Sequence, residues 1–267
     1  KLKKSFIQFL EKIPSVGKGF LCIDDKNVLE ITNKVKNKNF YTYGLNEISN
    51  FQILNIFQKT KVSKFDIKIN IPGNKKIIKN IKIPLIGMHN IKNVTSVVAV
   101  AFSIGISEKI IKRGLIRFKG VQRRFSFLFK HNNAIFIDDY AHHPTEISSV
   151  LEGVKKVYRN KEIISVFQPH RISRVKNLKL EFSRCFKKAD TVLLCPIYKA
   201  NENLKLGFSY SSFAKLIIKN SKVNLININN EIELKKFLKQ TAYGEKIYIG
   251  MGAGSISSWM KNLKNNI

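Results

Sequence analysis

The sequence predicts an α/β protein in two parts, and three observations carry that expectation. From about Phe118 onward, apolar runs of strand length alternate with longer amphipathic runs of helix length, the pattern of a mostly parallel sheet covered on both faces. Between Asn50 and Ile86 the apolar residues recur instead at every second position, as in antiparallel hairpins. Separating the two patterns, "HNIKNVTSVVAVAFSIG" (His89 to Gly105) reads as a helix with a face of small residues. The expected domains are residues 1–120 and 121–267.

The elements follow in order. "KLKKSFIQFLEKI" is an amphipathic helix, "KGFLCID" a strand, the stretch after Asp24-Asp25 a short helix and "KNFYTYG" another strand. "FQILNIF", "FDIKIN" and "KKIIKNIKIPLI" are the hairpin strands, with Pro72-Gly73-Asn74 as a turn. Gly105 closes the small-residue helix, and "SEKIIKRGLIRF" is a further helix capped at Ser107. In the second part, the strand "AIFIDDY" leads to the helix "PTEISSVLEGVKKVY". There Pro144 suits the first helical position, and Glu146 the positive end of the helix dipole. "KEIISVFQ" and "LKLEFSRCFKKA", "DTVLLCPIY" and "SSFAKLIIKN", and "VNLINI" and "EIELKKFLKQ" repeat the strand-helix pair. "KIYIG" and a helix from about Ser255 complete it.

Bulk composition bounds the function. A hydrophobic content of 44% with 25% charged residues is that of a globular chain. No apolar run approaches the length that crosses a bilayer, so no membrane partner is expected. Cys22, Cys185 and Cys195 are odd in number and far apart, which excludes a disulfide framework and a Cys-x-x-Cys metal site and points to the cytoplasm. The net charge of +30 is spread along the whole chain among Ile and Asn, without an arginine tract or interleaved aromatics, so no nucleic-acid partner is expected. Lysine outnumbers arginine 40 to 8. Where lysine is the habitual cation, the arginines in "GVQRRF" (Arg123, Arg124) and "FQPHRISR" (Arg171, Arg174) suggest a need for the planar fork that grips carboxylate or phosphate.

The chemistry concentrates at strand ends, where open α/β sheets bind ligands. "IDDYAHHPTE" places Asp138, Asp139, Tyr140, His142, His143 and Glu146 at the end of one strand. Pro144 and Glu146 serve the helix; Asp139, Tyr140 and His142 have no evident local task and suit sugar and phosphate contacts better than a metal. "FQPHRISR" brings His170, Arg171 and Arg174 to the end of the next strand, with the arginines on one face if the segment is helical. In "GMHNIKN", His89 or Asn90 can cap the helix, while carboxamides such as those of Asn90 and Asn93 can also read an adenine edge. "GMGAGSISSW" lacks the full dinucleotide-loop spacing and fits an ordinary strand-to-helix turn.

"GMHNIKN", "GVQRRF", "IDDYAHHPTE", "FQPHRISR", "CPIYKANE" and "GAGSI" occur in the order seen in the Mur ligases of peptidoglycan synthesis, which this chain resembles over essentially its whole length. The resemblance implies the C-terminal portion of a central ATPase domain followed by a Rossmann-like domain. It implies ATP-dependent ligation of L-alanine to the lactyl carboxylate of UDP-N-acetylmuramate through an acyl phosphate. ATP and Mg²⁺ would be cofactors, and ATP, UDP-N-acetylmuramate and L-alanine the partners. By the same resemblance His89, Asn90 and Asn93 border the adenine, Arg124 reaches ATP phosphate, and Asp139 holds the ribose. Tyr140, His142 and His143 line the reacting centre, and His170, Arg171 and Arg174 bind the amino acid; no metal ligand is assigned. The family's Gly-x-x-Gly-Lys-Thr/Ser phosphate loop has no counterpart in residues 1–118. The main Mg²⁺ ligands are therefore expected upstream, and the 267 residues alone are expected to be inactive. The alternatives are a recycling ligase that uses a preformed peptide and a non-catalytic basic remnant.

Overall fold

A computed structural model describes residues 2–59, 62–118, 120–202, 209–265 and 267. The chain divides into two compact units, Lys1–Lys119 and Gly120–Ile267.

The first unit runs α1 (Leu2–Glu11), β1 (Gly19–Cys22), α2 (Lys26–Lys34), β2 (Phe40–Gly44), β3 (Phe51–Lys59), β4 (Val62–Ile71), β5 (Asn74–Ile83), α3 (Met88–Ser103) and α4 (Glu108–Arg117). Its five strands pair in sequence order. β1, β2 and β3 are parallel, whereas β3, β4 and β5 form the antiparallel meander that their period-2 pattern predicts. Asp66 fastens the bulges that interrupt both hairpins: its carboxylate accepts the Asn55 carboxamide at 2.8 Å and the Asn80 amide at 2.7 Å. The inward residues of β3 to β5 pack against Ile91, Val94, Val98 and Ala99 of α3. Ser107 takes the N-cap position of α4, yet its hydroxyl makes no cap hydrogen bond, and Glu108 in the first turn faces the dipole instead. On α1, Leu10 is buried against Ile31 and Val35, while Leu2, Phe6 and Phe9 are exposed.

The second unit runs β6 (Ser126–His131), β7 (Ala134–Asp139), α5 (Pro144–Val157), β8 (Glu162–Phe167), α6 (Ile172–Asn177), α7 (Lys179–Arg184), β9 (Thr191–Leu194), α8 (Tyr210–Ser221), β10 (Asn224–Asn227), α9 (Glu231–Thr241), β11 (Lys246–Met251) and α10 (Ile256–Asn262). The sheet order is β10-β9-β8-β11-β7-β6, parallel throughout except for the β6–β7 hairpin. Two apolar clusters cover its two faces. One holds α5, α7 and α8 residues such as Leu151, Phe182 and Phe213; the other holds Leu234, Leu238 and Met260 of α9 and α10. The alternation therefore builds the doubly covered, mostly parallel sheet that it predicts. β6 is an addition, joined to β7 through Asn132 and Asn133, both at positive φ.

Candidate active site

From β7 the chain crosses through α5 to β8 and leaves one strand position between them, which β11 fills. β9 and β10 then continue away from β7. The connections thus diverge about β11, and the carboxyl ends of β7, β11 and β8 frame a crevice of the kind that open α/β sheets use for ligands.

Backbone geometry shapes the β7 end. Asp139, 1% exposed, closes the strand: its carboxylate accepts the Ala141 amide at 2.8 Å and the Phe125 amide at 2.7 Å. The residue thus has a local task that its sequence neighbourhood conceals. Burial pushes its carboxyl up to about 6, against the pull of the two amides and of Arg124. The next amide, that of Tyr140, donates to the Arg123 carbonyl at 2.7 Å. His142 Nδ1 lies 2.9 Å from the Tyr140 carbonyl, so in the neutral ring Nδ1 carries the proton and Nε2 is left as an acceptor. Glu146 accepts the amides of His142 and His143 and stands 3.7 Å from His142 Nδ1. His143 is the N-cap of α5, its Nδ1 accepting the Thr145 amide in a capping box with Glu146.

At the β8 end, the sequence expectation of two arginines on one helical face is corrected. Arg171 precedes α6 with φ +65°, and only Arg174 lies inside the helix. A left-handed residue breaks the helical phase, so the three-residue spacing does not align the pair. The Arg171 amide donates to Tyr198 beyond β9, and Arg174 Nη1 is 3.4 Å from His170 Nδ1. Burial, then the positive charge of Arg174, holds the His170 imidazolium below its ordinary range, so the ring is neutral near pH 7. Glu202 ties the β9 loop to the start of α6 by accepting from the Ser173 hydroxyl and amide.

Together these residues form one line. Arg123 and Arg124 stand 4.7 and 5.9 Å from the Tyr140 ring centre. Tyr140 meets His142 edge-on at 5.0 Å, His142 lies 6.0 Å from His170, and His170 stacks on Tyr198 at 5.5 Å. The glycine-rich turn after β11 supports the line from below. A Cβ on Gly252 would come within 2.6 Å of the Gln168 carbonyl, and one on Gly254 within 2.6 Å of the Tyr198 ring. Gln168 fastens the same turn by accepting the Ile256 amide and donating to Ser255. Gln168 and Tyr198 went unassigned in the sequence, although both sit at strand ends equivalent to those of His142 and His170.

His89, Asn90 and Asn93 lie in the first unit at the start of α3. Gly87, not His89 or Asn90, is the N-cap. Asn90 is buried and its carboxamide donates back to the Ile86 carbonyl at 2.7 Å, while Asn93 is exposed. Among the described residues, no group of three or more His, Cys, Asp or Glu side chains converges as a metal site, and no helix is long and apolar enough to cross a membrane.

Two family models match the chain: the Mur ligase middle domain over residues 1–101 and the Mur ligase glutamate ligase domain over residues 123–254. The chain belongs to the Mur ligase family. It is 57% identical to the UDP-N-acetylmuramate–L-alanine ligase of Pelagibacter ubique, over 98% of this chain and 57% of that protein. It is 34% identical to the enzyme of the same name from Sinorhizobium medicae, over 100% of this chain and 57% of that protein. The chain thus spans just over half the length of the curated relatives it matches. Two solved Mur ligases share the fold. The UDP-N-acetylmuramate–alanine ligase of Thermotoga maritima has a TM-score of 0.70 at 24% identity, covering 88% of this chain and 49% of that one. MurF of Acinetobacter baumannii has a TM-score of 0.73 at 18% identity, covering 99% and 55%.

Proposed function

We propose that the protein carrying this chain joins L-alanine to the lactyl carboxylate of UDP-N-acetylmuramate in the cytoplasm, as a step of peptidoglycan precursor synthesis. The reading rests on one observation above all. The Tyr140–His142–His170 line, flanked by Arg124 on one side and Arg171 and Arg174 on the other, stands at the strand ends of a chain 57% identical to a ligase of that name.

ATP, when bound, supplies the phosphoryl group that turns the carboxylate into an acyl phosphate an amine can attack. The residues of this chain fit ATP in part. Arg124 is exposed, its guanidinium has no hydrogen bond or ion pair among the described residues, and it offers its fork to phosphate oxygens. Asn93 offers an exposed carboxamide for adenine beside His89, with Asn90 fixing the start of α3 from inside. Asp139 serves the nucleotide indirectly, by holding Phe125 and Ala141 in place. No step is assigned to Mg²⁺ on these residues.

At the amine, His142 has its Nδ1 fixed on the Tyr140 carbonyl, and its free Nε2 takes the proton that the alanine ammonium must lose before it attacks. Arg171 and Arg174 bind the alanine carboxylate. Neutral His170 steers Arg174 by facing it with Nδ1.

The test is phosphate release from ATP that depends on both UDP-N-acetylmuramate and L-alanine, measured on the whole protein that carries this chain. Release with a tripeptide but not with L-alanine would assign the recycling reaction instead, and release with neither would overturn the reading. Arg174→Ala is expected to raise the KM for L-alanine by about 10- to 100-fold, through loss of a charge-assisted pair, with a much smaller change in kcat.

A further inference from the structure

The two adjacent arginines of "GVQRRF" are used in different ways. Arg124 is exposed. Arg123 is drawn inward on a left-handed backbone, φ +60°, a conformation that an arginine adopts only where its surroundings hold it. Its Nη2 donates to the Gly252 carbonyl at 2.6 Å. Its Nε is 4.0 Å from Oδ2 of Asp138, which is wholly buried. The same Oδ2 accepts the Ser257 hydroxyl at 2.6 Å. The guanidinium lies over the Tyr140 ring at 4.7 Å, and the Arg123 carbonyl accepts the Tyr140 amide. One residue therefore connects the lead into β6, the end of β7 and the turn after β11, and it touches Tyr140 through both backbone and side chain.

We infer that Arg123 is a positioning residue: its guanidinium, anchored by Asp138 and the Gly252 carbonyl, fixes the Tyr140 ring and through it the His142 imidazole. Its Nη2 is taken by the Gly252 carbonyl and its Nε faces Asp138, so contact with phosphate falls to Arg124 instead. The planar group is required, because a lysine ammonium cannot stack on the ring while donating to Gly252. Asp138, one of the two adjacent strand-end carboxylates, is the buried counter-ion of this device. The role for catalysis rests on the proposed ligase function; the role in orienting Tyr140 and His142 does not.

The experiment compares Arg123→Lys and Arg123→Gly with the parent. Glycine suits the left-handed backbone, and the double variant Arg123→Gly with Asp138→Asn removes the unpaired buried carboxylate, so a folded protein without the guanidinium is available. His142 meets the Tyr140 ring edge-on, so the ring current of Tyr140 sets the NMR shifts of the His142 ring protons. In the folded variants these shifts are expected to move, with no rescue by lysine, and in the whole ligase kcat/KM for L-alanine is expected to fall about tenfold, mainly through kcat. Unchanged His142 shifts in folded Arg123→Lys and in the double variant would overturn the inference. Shifts that move while kcat/KM for L-alanine stays constant would uphold the positioning and instead overturn the assignment of Tyr140 and His142 to the amine.

Discussion

Asp139 shows how burial redirects a residue whose type suggests chemistry. Its carboxyl is pushed from 3.8 to about 6 because desolvation outweighs two short amide contacts. A raised carboxyl favours the fold when protonated, so its contribution is full below pH 3.8 and is lost as pH rises through about 6. Asp139→Asn does not titrate. In urea unfolding followed against pH, the parent is expected to lose on the order of 3 kcal/mol relative to this variant between about pH 3.5 and 7. At the acid end the variant is expected to be the weaker by about 1–3 kcal/mol, since the Asn amide group must face one of the two backbone N–H donors. A flat difference across that range would show that the carboxyl titrates normally. At this scale the sequence points to residues that the structure brings together. Tyr140, His142, His170 and the arginines stand out in a lysine-rich chain, and they lie together. It was a poor guide to how tasks divide among neighbours. Nothing in "RRF" or "DDY" tells which arginine turns inward or what each buried aspartate holds, because Arg123 and Asp138 take partners from the turn after β11 and from α10, more than a hundred residues away.

The elements repeat that contrast. The helices and most strands were legible because each buries one face and its apolar spacing records the fact; α5 starts at Pro144 as its sequence indicates. The parallel pairing of β1, β2 and β3 left no such record, since a strand's pattern does not name its partner. β6 was overlooked although "SFLFKHNNAIFIDD" carries a hairpin signal: two asparagines, now seen at φ 43° and 68°, between apolar runs. The bulge between Phe127 and Phe129 broke the alternation that would have marked it. Asn133→Val places a β-branched residue in the left-handed region, and its expected cost is about 1–2 kcal/mol, read as a lower urea midpoint. Because β6 leads out of the arginine pair, the same substitution tests whether the hairpin holds the site in register.

Across the whole molecule, the two units keep separate sheets and separate apolar clusters. Gly120–Ile267 made by itself is therefore expected to melt in one cooperative transition, followed by circular dichroism; a broad, non-cooperative melt would show that its core is not self-sufficient. The chain order within that unit carries a further consequence. β11, the last of its strands to be synthesised, lies between β7 and β8, and its hydrogen bonds join the two halves of the sheet. While the ribosome is still translating residues before 246, β7 and β8 have no shared partner, and the turn that supports Tyr198 and receives Arg123 does not yet exist. The nascent domain thus remains two open half-sheets until its final strand emerges, and the candidate crevice is assembled in the same event that completes the fold.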